Sequence, residues 1–230
     1  EPIVINRLIC HGDYYDLNGR HIYDPGDYFD TIATSAGCDS MVHLRLKVVV
    51  PLMMELSSVE EPCQGASSFL IETHARKGVP NAYTLQFGEG SEATGLVKQS
   101  GSMAAVADNT ITVDIPTDLK PGYYPFAVLF DSEENGTYEV AGELVQHYPA
   151  SFIRQRWDDV LGILNADNNG GYDFRTFRWY RNGQAIDGAT EPYLYVEEKL
   201  KAGDTYSVEL LVPGEERGLT TCAYVIPAAA

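Results

Sequence analysis

The sequence of 230 residues predicts an all-β fold built from tandem small antiparallel β-sandwich modules. Short apolar runs with a period of two residues recur along the chain and are separated by turn residues, as in sandwiches of short strands. A second observation supports the division into modules, because one phrase, a turn ending in Gly followed by a Tyr and a strand-like run, occurs three times. The copies are Pro25-Gly26-Asp27-Tyr28, Pro121-Gly122-Tyr123-Tyr124 and Ala202-Gly203-Asp204-Thr205-Tyr206.

Two Pro-containing segments mark the expected boundaries between modules. Val49-Val50-Pro51 ends a run of strand-like residues, and His147-Tyr148-Pro149 ends another. We therefore expect a short β module at 1–50, a β-sandwich at 51–149 and a second sandwich at 150–230. A chain of this length holds one large domain or two to three small ones.

The first module is expected to contain a tight hairpin followed by two longer strands. Asn18-Gly19 lies between two aromatic runs, which is a strong signal for a two-residue hairpin turn. Strands are predicted at 28–32 and 42–48. In the second of these, Val42, Leu44, Leu46 and Val48 alternate with polar residues and should face a core.

The middle module is expected to be an antiparallel sandwich that opens near residues 53–56. Turn residues rich in Gly, Pro and Asn separate its apolar runs, as is typical of this fold class. The strands are predicted at 68–73, 83–87, 94–98, 110–115, 124–130 and 138–145.

The last module carries signals of an immunoglobulin-like sandwich. Trp179 lies in the middle of a predicted strand, Asn182-Gly183 follows as a hairpin turn, and Tyr206 precedes the core position Val208 by two residues. A strand Trp and a corner Tyr at that spacing are typical of immunoglobulin-like domains, although Val208 replaces their usual Cys. A generic hairpin-rich β domain is the alternative. Strands are predicted at 174–180, 185–186, 193–196, 205–212 and 220–226.

One segment of the last module allows two interpretations. Residues 159–165 have apolar positions that fit a helix or a buried strand, and their place before a clear hairpin favours the strand. Two tyrosines are assigned structural roles by the repeated phrase. Tyr206 is expected to form a tyrosine corner, and Tyr124 is expected to do the same ahead of Phe126 and Val128. Tyr28 belongs to the short first module and is expected only to imitate that corner.

The charge distribution limits the classes of partner that the protein is expected to bind. The net charge is −17, of which −3 lies in 1–50, −10 in 51–149 and −4 in 150–230. Nucleic-acid binding is therefore not expected, because it needs a basic surface. Docking on an anionic membrane is disfavoured for the same reason, and no run of 18 apolar residues predicts a membrane span. The start at Glu1, strand-like from Ile3, favours a piece cut from a longer chain.

The four cysteines leave their pairing partly open. Cys10 and Cys38 lie in a module too small to bury a large core, and small exported modules are commonly stapled by disulfides, so we predict that these two are paired. Cys63 and Cys222 are either free buried thiols or a bridge between modules, because connectivity cannot be deduced from sequence.

Two parts of the chain carry a family resemblance. These are residues 9–12, 23–28, 37–40 and 44–46 in the N-terminal part, and residues 155–161, 169–172, 177–183 and 188–190 in the later part. In these residues the chain resembles the short repeats of large secreted and surface proteins of Bacteroidetes, of the adhesin-like and gliding-motility-associated kind. The resemblance implies an exported, largely uncharacterised β-sandwich protein at the cell surface, supports the Cys10–Cys38 pair and implies no catalytic activity.

No catalytic constellation is visible, and no cofactor or metal is predicted. The loop 167–173 has oxygen ligands at alternate positions as calcium loops do, but Arg178 stands where an EF-hand needs Glu, so a polar turn is favoured over a weak calcium site. The five histidines form no ligand pair. The adjacent acids Asp158-Asp159 and Glu197-Glu198 would point to opposite faces of a strand, which disfavours glycoside hydrolysis.

The function expected from these features is a surface adhesion, structural or spacer module without catalytic activity. The alternative is a carbohydrate- or protein-binding module of a larger secreted protein. Aromatic faces stack on sugar rings or on protein partners, and packing in cores and corners is the competing explanation. The tyrosines considered for such a platform are Tyr14, Tyr15, Tyr123, Tyr124, Tyr193 and Tyr195.

Overall fold

The computed structural model of the protein describes residues 3–33 and 39–228, and it is an all-β chain of small sandwich modules, as predicted. The buried apolar side chains form three separate clusters along the sequence. The chain also contains short 3-10 turns at Ser91–Thr94, Met103–Ala105, Ala107–Asn109, Ala150–Phe152 and Ala166–Asn168. Within the described ranges, no helix is long and apolar enough to cross a membrane.

The first module is a three-stranded sheet covered by a hairpin. Asn18 and Gly19 form the predicted turn, with φ of 54° and 80°. Val42, Leu44 and Leu46 are buried, which confirms the predicted alternation. The strands are β1 (Ile3–Cys10), β2 (Tyr15–Leu17), β3 (Arg20–Ile22), β4 (Gly26–Ala33) and β5 (Asp39–Val49), the sheet order is β1-β5-β4, and β2 pairs with β3. The β1–β5 pair is parallel, which departs from the antiparallel expectation.

The middle module is a sandwich whose core includes Phe69, Leu85, Val128 and Phe130. Its strands are β6 (Met53–Val59), β7 (Ser68–Lys77), β8 (Ala82–Phe87), β9 (Gln99–Ser102), β10 (Thr110–Asp114), β11 (Gly122–Ser132) and β12 (Gly136–Gln146), in sheets of order β10-β7-β6 and β12-β11-β8-β9.

The strand predicted at 94–98 is wrong. Residues 91–94 form a 3-10 turn flanked by Gly90 and Gly95, both with φ of 82° in the left-handed region that favours glycine. The strand begins only at Gln99, whose side chain accepts a hydrogen bond from the Asp114 amide and donates one to the Asp114 carbonyl. Leu96 is buried in the core, so this apolar residue packs from a loop and does not indicate a strand.

The last module is an immunoglobulin-like sandwich of two sheets. Trp179 is fully buried between them, and its indole nitrogen donates a hydrogen bond to the Glu191 carbonyl at 2.9 Å. Residues 160–163 form a strand, which resolves the helix alternative. The strands are β13 (Ile153–Gln155), β14 (Val160–Ile163), β15 (Thr176–Arg181), β16 (Gln184–Ala185), β17 (Tyr193–Tyr195), β18 (Thr205–Leu211), β19 (Leu219–Thr220) and β20 (Tyr224–Val225), in sheets of order β13-β14-β17 and β16-β15-β18-β19, with β20 also on β18.

Two of the three repeated phrases form the same tyrosine corner. The Tyr28 hydroxyl donates to the Asp24 carbonyl and the Tyr124 hydroxyl to the Lys120 carbonyl, each at 2.8 Å and each four residues back. A Cβ on the glycine two residues earlier would lie 3.4 Å from the Tyr28 ring and 3.5 Å from the Tyr124 ring. These distances are ordinary van der Waals contacts, so each ring packs against the turn without requiring glycine there. Tyr28 makes the same hydrogen bond as Tyr124 rather than an imitation of it.

The third phrase differs because it contains one more residue between Gly and Tyr. Gly203 lies in the turn before β18 with φ of 88°, and no atom lies within 4 Å of a Cβ built on it, so the Tyr206 ring does not pack against this glycine. Tyr206 is fully buried, and its hydroxyl has no hydrogen-bond partner among the residues that the structure describes. Tyr206 is thus a core residue without the corner hydrogen bond expected from the sequence.

We expect Tyr124→Phe to lower the free energy of unfolding by about 1 kcal/mol, because it removes a formed hydrogen bond. The matched variant Tyr206→Phe should leave stability unchanged or raised, because it removes a buried hydroxyl that has no partner. Urea denaturation of both variants provides the measurement. A loss above about 1 kcal/mol for Tyr206→Phe together with none for Tyr124→Phe would show that the corner assignment is reversed.

Candidate functional site

The connection between the middle and last modules is hydrogen-bonded on both of its sides. The segment 146–148 lies between segments 62–64 and 220–222, and we call these three segments the junction ribbon. On one side, the His147 amide donates to the Pro62 carbonyl at 2.9 Å and the His147 carbonyl accepts from the Gln64 amide at 3.0 Å. On the other side, Tyr148 exchanges two backbone hydrogen bonds with Thr220 and Cys222. The connection is therefore the central strand of a ribbon.

A disulfide closes the junction ribbon. Cys63 and Cys222 are bonded, with their Cα atoms 5.9 Å apart and 159 positions apart in sequence. The sequence allowed Cys63 and Cys222 to be either free buried thiols or a bridge between modules, and the structure contains the bridge. Cys10 is exposed at the end of β1. Cys38 lies outside the described residues, so the Cys10–Cys38 pair stays a prediction.

The side chains of the junction ribbon add contacts between the modules. His147 Nε2 lies 2.8 Å from a carboxylate oxygen of Glu61, and His147 Nδ1 lies 3.1 Å from the Thr220 carbonyl. The side-chain nitrogen Nε2 of Gln146 donates to the Cys63 carbonyl at 2.9 Å. The side-chain oxygen Oε1 of Gln146 is buried without a partner among the described residues. Both ring nitrogens of His147 are thus occupied, one on each module.

An arginine of the last module is held between two side chains of the middle module. Arg217 forms a two-pronged ion pair with Glu143, with both N–O distances 2.9 Å, and this hydrogen bonding raises the pKa of Arg217. The Arg217 guanidinium carbon also lies 3.6 Å from the centre of the Tyr123 ring, in a cation–π geometry. The Tyr123 hydroxyl donates to the Gly218 carbonyl at 2.6 Å. These contacts form a second bridge beside the disulfide.

A crevice of about 390 Å³ opens between the same two modules. We call it the junction crevice. Tyr123 and Tyr124 enter it from the start of β11, Tyr148 comes from the junction ribbon, and Tyr172 comes from the loop before β15. Its complete lining is Pro121, Gly122, Tyr123, Tyr124, Tyr148, Tyr172, Leu210, Val212, Glu215, Arg217 and Leu219.

The tyrosines of the junction crevice differ in the use of their hydroxyl groups. Those of Tyr123 and Tyr124 donate to backbone carbonyls. Tyr148 is only 5% exposed and Tyr172 is half-buried, and neither hydroxyl has a hydrogen bond within the described ranges. Burial raises the pKa of Tyr148 strongly and that of Tyr172 as well, so both phenols stay protonated at neutral pH.

The six tyrosines considered as a platform do not converge on one site. Tyr123 and Tyr124 line the junction crevice, whereas Tyr193 and Tyr195 are exposed on β17. Tyr14 is stacked on His21, with ring centres 3.9 Å apart, in the first module. Tyr15 packs against the core of that module. One pair of the six therefore contributes to the candidate site.

The other candidate sites show ordinary structural contacts. In the loop 167–173, the buried Asn169 side chain bonds to backbone atoms of Leu164 and Tyr172, and Asp173 pairs with Arg175. Residues 3–33 and 39–228 contain no group of three His, Cys, Asp or Glu side chains placed to hold a metal ion. The Lys199 ammonium donates a hydrogen bond to the Asp158 carboxylate at 2.7 Å, and this bond lowers the pKa of Asp158.

Most lining residues of the junction crevice have no feature in the sequence that identifies them as part of a site. The sequence places Tyr148 only at a boundary between modules, although an aromatic residue in a connection is a signal that the connection packs against something. Tyr172 was considered only within the polar loop. Glu215 and Arg217 lie in a charged turn after β18 and have no local feature that distinguishes them from other surface charges. Their role depends on contacts between modules.

Comparison with known proteins gives weak likenesses of fold. No family model matches the chain, and neither does any curated protein sequence. The N-terminal four Ig domains of Dscam1 isoform 6.9 align at 18% identity and a TM-score of 0.28, over 94% of this chain and 60% of that one. Murine CEACAM1b aligns at 12% identity and a TM-score of 0.32, over 76% of this chain and 98% of that one. The fibronectin(III)-like modules of Clostridium thermocellum CbhA align at 9% identity and a TM-score of 0.31, over 76% of this chain and 94% of that one. Likenesses this weak carry no inference about function.

We expect the double variant Cys63→Ser, Cys222→Ser to lose about 4–5 kcal/mol of unfolding free energy, because the bridge closes a long loop in the unfolded chain. Guanidinium denaturation with and without reductant gives the measurement. Reductant should destabilise the wild type by this full amount, and it should change the variant only through the predicted Cys10–Cys38 pair, which closes a much shorter loop. Equal midpoints for wild type and variant in oxidising buffer would show that the bridge does not stabilise the junction.

Proposed function

We propose that the chain is an extracellular structural and adhesion segment that holds its modules at a fixed geometry on a cell surface, without catalytic activity. The observation that carries this proposal is the covalent and hydrogen-bonded junction between the middle and last modules. A flexible connection would be expected if the modules only had to be tethered. A connection paired on both sides and closed by a disulfide instead favours a rigid spacer.

The disulfide also gives the segment a mechanical property suited to a stalk. When the two ends of the chain are pulled apart, tension passes from residue 63 to residue 222 through the sulfur atoms. Residues 64–221, which hold nearly all of the middle and last modules, then carry no load. Such a bypass prevents residues 64–221 from being extended under tension that would extend an unbridged chain, whereas β6 and β20 lie outside the bridged loop.

The exported location is supported by two features. Disulfides persist in oxidising compartments and are rare in the cytosol, and the Cys63–Cys222 bridge connects two modules. The resemblance to secreted surface proteins of Bacteroidetes in residues 9–46 and 155–190 favours the same location. We propose that the chain belongs among these adhesin-like proteins.

A second role, recognition of a glycan or protein, is favoured by the junction crevice. A concave site with aromatic walls and a few polar groups is the usual form of a binding site. Its walls come from both modules, so the junction that makes the segment rigid also fixes the geometry of the crevice. Structural and recognition roles are therefore compatible in one molecule.

Force spectroscopy on the chain held at its two ends tests the mechanical proposal. In oxidising buffer we expect the extension to lack the length of residues 64–221, which is on the order of 55 nm for an extended chain. Reductant should restore that length, and the double variant Cys63→Ser, Cys222→Ser should show it in both buffers. Full extension of the oxidised wild type would contradict the proposal.

A further inference from the structure

The junction crevice has the size and lining of a site for a small ligand. Its volume of about 390 Å³ lies in the range of small-molecule sites and suits one or two sugar rings. The walls are mainly aromatic and aliphatic, with Glu215 and Arg217 as the charged groups. Arg217 is already paired with Glu143, which leaves Glu215 as the charge available to a ligand.

Among the described residues, neither the buried Tyr148 hydroxyl nor the half-buried Tyr172 hydroxyl of this crevice has a hydrogen-bond partner. Tyr148 is more than nine-tenths buried, and its hydroxyl makes no hydrogen bond within residues 3–33 and 39–228. Within those ranges, Gln146 Oε1 and Tyr206 OH are fully enclosed by protein and have no hydrogen-bond partner. The Tyr148 hydroxyl is not enclosed in this way, so it remains in contact with the crevice. Tyr172, also without a partner there, lies beside it, with ring centres 5.1 Å apart. A ligand with several hydroxyl groups would satisfy both phenols as donors and acceptors.

The rings that carry these phenols are held in place from behind. Tyr172 is stacked on Phe174 at 5.6 Å with an interplanar angle of 9°, and Tyr148 meets both rings edge-on. Phe152 completes this aromatic cluster. Fixed rings reduce the entropy lost on binding, and the C–H face of a sugar packs well on an aromatic ring.

The charge of the site selects against anionic ligands. The Glu215 carboxylate at the rim would accept hydrogen bonds from hydroxyl groups and would repel carboxylate, sulfate or phosphate. The net charge of −17 acts in the same direction at longer range. Among polyhydroxylated ligands, neutral sugars are therefore favoured over uronic or sialic acids.

We propose that the junction crevice binds a neutral sugar residue of a glycan, with Tyr172 and Tyr148 as its main contacts and Glu215 as an acceptor. This inference deepens the recognition role proposed above. It is independent of the mechanical role, because the crevice could fail to bind sugar while the disulfide still bypasses tension.

The test is binding of the whole chain to an array of neutral and acidic oligosaccharides, followed by calorimetry with each neutral oligosaccharide that gives a signal. We expect saturable binding that Tyr148→Phe weakens about tenfold, the loss of one hydrogen bond in a buried site. Tyr172→Ala should weaken it further. The control Tyr195→Ala, on the exposed face of β17, should bind like the wild type.

A second measurement does not depend on the variants. Titration of the wild type with a binding oligosaccharide should shift the amide NMR signals of residues 121–124, 148, 172 and 215–217. No saturable binding to any neutral oligosaccharide, binding of acidic glycans alone, or loss of binding in Tyr195→Ala with retention in Tyr172→Ala would overturn the proposal. Binding of peptides in place of sugars would overturn it as well. The force experiment reports separately on the mechanical proposal.

Discussion

The double pairing of the connection between the middle and last modules is the constraint on which the rest of the structure depends. Segments 62–64 and 220–222 bond to opposite sides of 146–148, so the last module cannot rotate without breaking backbone hydrogen bonds. The Cys63–Cys222 bridge then joins the two outer segments directly. Tyr123, Arg217 and Glu143 extend the contact to the far side of the crevice. A connection of this kind converts two sandwiches into one structural unit.

Burial of the linker explains both roles considered for the protein. Tyr148 belongs to the connection, yet it packs with Phe152, Tyr172 and Phe174 in the core of the last module. The same ring forms a wall of the junction crevice. The rigidity of the junction and the proposed binding surface therefore arise from the same packing.

The local fold was largely accessible from the sequence, because it depends on turn residues and alternation. The Asn18-Gly19 and Asn182-Gly183 turns identified their hairpins, and most strands of the last module followed from their apolar period. The exceptions are β13, which was not predicted, and the run 220–226, which is interrupted between β19 and β20. The 94–98 segment failed because Gly95 and the packing of Leu96 are consistent with either a strand or a buried loop. The parallel β1–β5 pair has no local signal, since it depends on long-range register.

The candidate site was less accessible, because it exists only where two modules meet. Tyr123 and Tyr124 were singled out by the repeated phrase, but nothing near Arg217 in sequence reports that it stacks on Tyr123. The phrase itself gained a sharper physical meaning. The corner forms at Tyr28 and Tyr124, where one residue separates Gly from Tyr, and it is not formed at Tyr206, where two residues separate them.

The most direct test of the account is the relative orientation of the middle and last modules in solution, measured by residual dipolar couplings of backbone amides. If the junction is rigid, one alignment tensor should fit the couplings of residues 51–149 and 150–228 together, in the orientation that the structure shows. Two tensors of clearly different magnitude would show that the modules move independently, and they would contradict the account.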